Sequence, residues 1–499
     1  MKKNYLLGID VGSSSIKASL IDADSGILID SASSPDQEMK IDSPLIGWAE
    51  QDPEIWWRHV VISIKKIISK LSSNDYEIIA IGISYQMHGL VVVDSELKVI
   101  RPSIIWCDSR AVEIGNKAVA EIGMEYCLNN CLNSPGNFTA SKLYWIKKME
   151  PEHYSRIYKF MLPGDFIALK LSGETSTTIS GLSEGIFWDF QTNTISEKVL
   201  TYFGFDKKII PGIVPTFGIQ GKLTKSAATE LGIKSGIPIS YRAGDQPNNA
   251  LSLNVLNPGD VAATAGTSGV IYGVTEKNLT DKLSRVNTFA HVNYSNDNPH
   301  KGVLLCINGT GILYSWIKQN ILEGKYSYNE LNNNAGEIEI GANGLLCIPF
   351  GNGAERVLSN RDVQCQFFGI NFNVHNIAHL VRAAQEGIAF SFRYGLDVMK
   401  SIGMKINVVK AGNTNLFQSR IFQEVFVNTC NVSLELYNTD GSQGAARGAG
   451  IGIGYYTSEE KAFEGLKMIN KIYPSENLVK KYQNYYNRWK DKLDFILNQ

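Results

Sequence analysis

A chain of 499 residues, 44% hydrophobic and 19% charged, has room for two or three domains with large cores and is too apolar to be disordered. Its 48 basic and 49 acidic side chains leave a net charge of −1, so neither nucleic acid nor an anionic membrane is expected as a main partner. The N-terminus lacks the long apolar core of a secretory signal, and no apolar run reaches the roughly 20 residues of a membrane span; the seven scattered cysteines then read as free thiols of a cytoplasmic protein.

The chain opens on β-prone runs, "LLGIDVGSSSIKASLID" and "GILIDSA", separated by turn chemistry. The first run ends at Asp10, beside the small-residue turn Gly12 to Ser15. Two readings fit: an ordinary hairpin, or a phosphate cradle with Asp10 placed to hold a metal. Asp52 then reads as an N-cap ahead of Pro53, and Val60, Ile64, Ile67, Ile68 and Leu71 recur at helical spacing. "EIIAIGIS" is fully apolar, as in a sheet covered on both faces. It leads to "YQMHG", which puts Met87 and His88 at a strand end, where α/β folds place ligand residues. In "IIWCDSR", Trp106 and Asp108 are either cleft residues or a buried Trp beside an Asp–Arg pair. Cys127 and Cys131 lack the second pair, or the histidines, of a zinc site. "YRAGDQPNNA" offers Asp245 as a catalytic carboxylate or as a helix N-cap, which would keep its pKa low.

"GDVAATAGTSGVIYGV", Gly259 to Val274, repeats the opening pattern of strand, small-residue turn and strand. Two such hairpins suggest a duplicated architecture facing itself across a cleft. Asn308-Gly309-Thr310 carries no glycosylation meaning in a cytoplasmic protein. Asn376 to Gly403 reads as a long helix, and "DGSQGAARGAGIGIGYY" as a helix whose small residues allow close packing. No low-complexity linker is present, so the expected segments 1–243, 244–455 and a helical tail 456–499 meet along a tight hinge.

Taken in order, "GIDVGSSSIKASLID", "GWAEQDPEIWW", "ISYQMHGLVVVD", "RPSIIWCDSR", "AGDQPNNA" and "AATAGTSGVIY" resemble the FGGY carbohydrate kinases, and within them the xylulokinases. The resemblance implies an α/β fold of two ribonuclease-H-like domains of the actin and Hsp70 ATPase type, facing each other across a catalytic cleft. It implies ATP and Mg2+, with Asp10 orienting the metal, and Gly12, Ser13, Gly266, Thr267 and Ser268 gripping the phosphates. Phosphoryl transfer rests on positioning and charge stabilisation, and turns without a Cβ let backbone N–H groups reach phosphate oxygens. Asp245 matches the family's general base, and Met87 and His88 its ketose contacts. Asp108 and Gln246 follow as further substrate residues, with Trp106 and Asn249 beside them. In place of the family's Gly-rich adenine turn stands "VVKAGNTNLFQSRIF", so Ala411, Gly412, Asn413 and Asn415 are expected on the adenosine side. Glu355 and Arg356 lie in an altered loop and receive no role.

The implied reaction is phosphorylation of D-xylulose to D-xylulose 5-phosphate, with domain closure excluding water. The alternatives are another ketose or polyol, such as ribulose or glycerol, and an actin- or Hsp70-like switch ATPase. Sugar and ATP are the expected partners, and a homodimer stays open.

Overall fold

The computed structural model describes residues 2–71 and 76–499. The first sheet comprises β1 (Lys3–Val11), β2 (Ile16–Asp22), β3 (Leu28–Ser34), β4 (Tyr76–Tyr85), β5 (Phe217–Lys222) and β6 (Pro238–Gly244), in the order β3-β2-β1-β4-β6-β5. β1, β2 and β3 form an antiparallel meander, β4 and β6 continue parallel to β1, and β5 closes the edge antiparallel.

The second sheet comprises β7 (Asp260–Ala265), β8 (Gly269–Thr275), β9 (Asn287–Ala290), β10 (Lys301–Ile307), β11 (Val408–Gly412), β12 (Ser433–Tyr437) and β13 (Met468–Ile472). Its order is β9-β10-β8-β7-β11-β12-β13. From β10 to β13 the strand order and directions repeat the first sheet: an antiparallel meander, two parallel strands and an antiparallel edge. The likeness of the two hairpins is thus one of topology.

Seven helices matter for the site: α1 (Pro53–Ile68), α2 (Thr139–Met149), α3 (Ile179–Glu184), α4 (Asp245–Ser252), α5 (Ile377–Ser401), α6 (Gly441–Gly452) and α7 (Glu476–Leu497). Asp52 caps α1 as read, accepting the Glu54 N–H at 3.0 Å, and Trp56, Val60, Ile64 and Ile67 bury one face. α4 leaves β6 and α6 leaves β12, the equivalent strands of the two sheets.

α6 does not pack on its own sheet. It lies on the first, so close that a Cβ on Gly8 would sit 1.9 Å from the Ser442 carbonyl oxygen, and one on Gly82 2.0 Å from that of Ala445. α4 crosses it, and the Asn248 amide donates to the Gly441 carbonyl at 2.8 Å. The small residues of α6 therefore serve a helix–sheet contact between the two halves of the chain. A buried cluster joins Met87, Phe138 and Leu182 of the first half with Ala262, Tyr272 and Phe289 of the second.

The stretch from residue 456, expected as a tail, instead builds into the second domain. It supplies the edge strand β13 and the helix α7, whose Tyr482, Tyr486, Trp489 and Leu493 recur at helical spacing and are buried in the second core. The Trp489 indole N–H donates to the Cys347 carbonyl at 2.8 Å. Among the described residues no helix is long and apolar enough to cross a membrane.

Gly82→Ala is expected to force α6 off the sheet, because the new methyl meets backbone rather than a movable side chain. The loss should be at least the 1–3 kcal/mol of a typical overpacked core, read as a lower Tm in thermal unfolding.

Candidate active site

Asp10 sits next to last in β1, in register with Lys17 of β2 and Ser84 of β4. The turn that follows is closed by the Gly12 N–H donating to the Ser15 carbonyl at 3.1 Å. Two side chains steady Ser13: the Gln51 amide donates to its carbonyl at 2.7 Å, and the Trp106 indole to its Oγ at 3.2 Å. Trp106 is itself half exposed, so it flanks the turn.

The N-terminus of α6 abuts Asp10, since a Cβ on Gly441 would fall 2.5 Å from Asp10 Oδ2. Its cap, Asp440, pairs with Lys17 at 2.6 Å and accepts from Ser442 and Gln443. Burial works against the Asp440 charge, yet Lys17 and these hydrogen bonds hold its carboxyl below the usual range. Burial dominates at Asp10 and raises its pKa, with the Asp440 charge adding to the rise while Ser84 and Lys17 oppose it.

Asp245 is the first residue of α4, with Gly244 as its cap. The residue is only partly buried. Its pKa is pushed up to about 7, by burial first and then by the Asp10 charge, although hydrogen bonds from Gln246 oppose the rise. The low pKa expected from a helix N-terminus is overturned here, because desolvation and a like charge outweigh the helix end.

Beside Asp245 lies the Met87–His88 turn: a Cβ on Gly244 would meet Met87 Cγ at 2.5 Å and Glu184 Oε2 at 2.7 Å. His88 is left-handed, with φ of 61°. Its Nδ1–H donates to the Glu184 carbonyl at 3.2 Å, so in the neutral ring Nε2 is left as an acceptor. The ring packs on Phe138 and Phe289, at centroid distances of 4.5 and 5.4 Å. Burial, with Lys142 nearby, lowers its pKa to about 3.

The second small-residue turn, Gly266 to Ser268, joins β7 to β8. The N–H groups of Gly311 and Ile312 donate to the Gly266 and Thr267 carbonyls, both at 3.0 Å, and the Thr310 hydroxyl also reaches them. That support is fixed in turn by buried Glu355, which accepts from the N–H groups of Asn308 and Gly309 at 2.9 and 2.7 Å. Burial pushes the Glu355 pKa up to about 7 against those two hydrogen bonds. Glu355, to which its loop pattern assigns no role, thus holds the turn beneath the second loop. Arg356 donates to Asn287 and lies over the Phe138 ring at 5.8 Å.

A cavity of about 530 Å³ opens beside this loop, bounded by Gly266, Thr267, Gly311, Tyr328, Asn332 and Asn415, among others. Of the residues expected there, Asn415 lines it, and Gly412 and Asn413 lie just before its Thr414 wall. Ala411 does not reach it: strand alternation turns its side chain into the second core, where it is fully buried.

Asp108 also departs from expectation. It is fully buried, its carboxyl engaged by the Arg110 guanidinium at 2.7 Å and the Ala49 N–H at 2.6 Å, which leaves it structural rather than open to a ligand. Gln246 and Asn249 lie half-buried on α4 beside Asp245. Among the described residues no group of three or more His, Cys, Asp or Glu side chains could cage a metal. Asp10 and Asp245 instead form a pair of neighbouring carboxylates, the Asp10 charge raising the Asp245 pKa. That pair fits a divalent cation that keeps phosphate and water oxygens for most of its ligands.

The FGGY family of carbohydrate kinases matches by its N-terminal domain over residues 5–252 and by its C-terminal domain over residues 261–452. A xylulose kinase of Staphylococcus xylosus is 30% identical, covering 98% of this chain and 100% of its own. Among solved structures, the xylulose kinase from Rhodospirillum rubrum superposes with a TM-score of 0.87 at 24% identity, over 99% of this chain and 100% of that one. Plasmodium falciparum glycerol kinase with ADP also reaches 0.87, at 20% identity and 98% of both chains. Proteins named for different substrates thus share this architecture, the two ribonuclease-H-like domains expected from the sequence.

The His88 ring is expected to stay neutral far below the usual 6.5 and to titrate only near about 3. A ring-nitrogen NMR titration should therefore find Nδ1 protonated and Nε2 bare across the neutral range.

Proposed function

The chain belongs to the FGGY family of carbohydrate kinases, and on that premise we propose that it transfers the γ-phosphate of ATP to the terminal hydroxyl of D-xylulose, with Asp245 as general base. The observation that carries this reading is the convergence of Asp245, Asp10 and the Met87–His88 turn where α4 and α6 cross. The near full-length likeness to a xylulose kinase supports the choice of ketose.

The chemistry follows from the groups present. The terminal hydroxyl oxygen attacks the γ-phosphorus in line with the β–γ bridging oxygen. A new P–O bond forms as the bridging bond breaks, the hydroxyl proton passes to the Asp245 carboxylate, and ADP leaves. The Gly12 N–H closes the first turn, and backbone N–H groups of Ser13, Gly266, Thr267 and Ser268 bind the phosphate oxygens from the two halves of the chain, with Gly12 leaving room for their approach. The cavity beside the second loop takes the nucleoside, with Asn415 on its wall. Nε2 of His88 accepts a hydrogen bond from a sugar hydroxyl. Asp10 would hold Mg2+ together with the ATP phosphates, and the ion would supply charge neutralisation on the transferring group.

Asp245 must be ionised to take the proton, and its pKa is raised rather than lowered. Activity is therefore expected to fall as the pH drops through about 7, well before an ordinary carboxylate would protonate. A pH profile of kcat/KM checks this.

The substrate test is ADP release with Mg2+ and ATP against D-xylulose, D-ribulose, L-ribulose, glycerol and no sugar, with Asp245→Asn alongside. D-Xylulose-dependent turnover, reduced about 10²–10⁴-fold in the variant, is expected. Preference for another sugar would overturn the substrate, and sugar-independent turnover that survives Asp245→Asn would overturn the kinase mechanism.

A further inference from the structure

Glu184, the last residue of α3, is fully buried, and its carboxyl oxygens face different parts of the site. Oε1 accepts the His88 N–H at 3.2 Å, while the Glu184 main-chain carbonyl takes the His88 Nδ1–H at 3.2 Å. From the opposite side, Lys142 of α2 donates to the His88 carbonyl at 2.9 Å. A left-handed histidine is strained and persists only where its surroundings hold it. Oε2 has no hydrogen-bond partner and lies against Gly244, where a Cβ would fall 2.7 Å from it. Gly244 is the residue before Asp245.

α3 does not need this carboxyl for its own placement. Thr178 Oγ1 accepts the Gly181 N–H at 3.0 Å, and Ser180 and Ser183 bond the Ala290 backbone at 3.1 and 3.0 Å. For packing alone, an apolar side chain would avoid the cost of burying an acid with one oxygen unpaired.

We propose that Glu184 is a positioning residue: its carboxyl holds the left-handed His88 turn in its sugar-binding shape and keeps that turn in register with the head of the Asp245 helix. The inference rests on the roles given above to His88 and Asp245. Lys142, Asp165 and Asp245 face the carboxyl, as do the phenols of Tyr85 and Tyr272. Burial first, and then Asp245 and Asp165, raise its pKa well above the usual range, so glutamine is a fair stand-in for the neutral acid.

The test compares Glu184→Met, which keeps volume without an acceptor, with Glu184→Gln, which keeps both. Glu184→Met should raise the ketose KM about 10- to 100-fold while the ATP KM moves less than about twofold, and Glu184→Gln should recover most of that loss. The His88 ring-nitrogen spectrum, read without substrate, should change in Glu184→Met and not in Glu184→Gln. An unmoved ketose KM, equal rises in both KM values, or a Gln variant as impaired as Met would overturn the proposal. So would failure of both Glu184→Met and Glu184→Ala to fold, which would assign the residue to the fold alone. Asp245→Asn reports separately: if it stays active while the His88 spectrum responds to Glu184→Met, the catalytic reading fails and the clamp on His88 stands.

Discussion

α6 lies on the first sheet with backbone against backbone. A Cβ on Gly8, Gly82 or Gly452 would sit about 2 Å from a carbonyl oxygen across the contact, a distance that no side chain can share. Because α6 leaves the second sheet and lands on the first, this contact sets how the two halves of the chain meet. It drives the N-terminus of α6 against Asp10 and brings α4 alongside, so that Asp245 starts its helix near the same point. The crossing thus places the two carboxylates by backbone packing, and glycines on both sides, Gly8 and Gly82 of the sheet and those of "GSQGAARGAGIG" in α6, are what permit it.

Charge in this region is distributed unevenly. Lys17 is taken up by Asp440, and Lys142 by the carbonyls of His88 and Ile105. Burial raises the pKa of both Asp10 and Asp245, joined at Asp10 by the Asp440 charge against Lys17 and at Asp245 by the Asp10 charge. Such a pair is costly for a resting fold. It is well suited to a site that receives a cation with a polyphosphate and a proton from a hydroxyl. For the base role proposed for Asp245 the raised pKa has a physical rationale, since a carboxylate near the pH of use takes up a proton more readily than one held low.

Much of this architecture is legible in local sequence pattern. The two hairpins, the cap at Asp52, the long helix α5 and the glycine-rich α6 each follow from neighbours a few residues apart. The fate of single side chains depends instead on partners far along the chain. "WCDSR" reads equally as a cleft motif or an ion pair, and only the Ala49 N–H and the Arg110 guanidinium decide for the latter. Ala411 loses its expected contact through strand alternation alone. Glu184 and Glu355 carry no local signal: the first acts on a residue 96 positions earlier, the second on backbone groups 46 and 47 positions earlier. The Lys- and Tyr-rich end of the chain resembles a tail because its aromatic stripe has meaning only beside the second core.

The central claim is that the two halves of the chain, joined at the α4–α6 crossing, act as one site that closes on sugar and nucleotide together. Small-angle X-ray scattering tests it most directly, with D-xylulose and a non-hydrolysable ATP analogue added singly and together. The account predicts a smaller radius of gyration with both ligands than with either alone. An unchanged radius when both sites are saturated would contradict it.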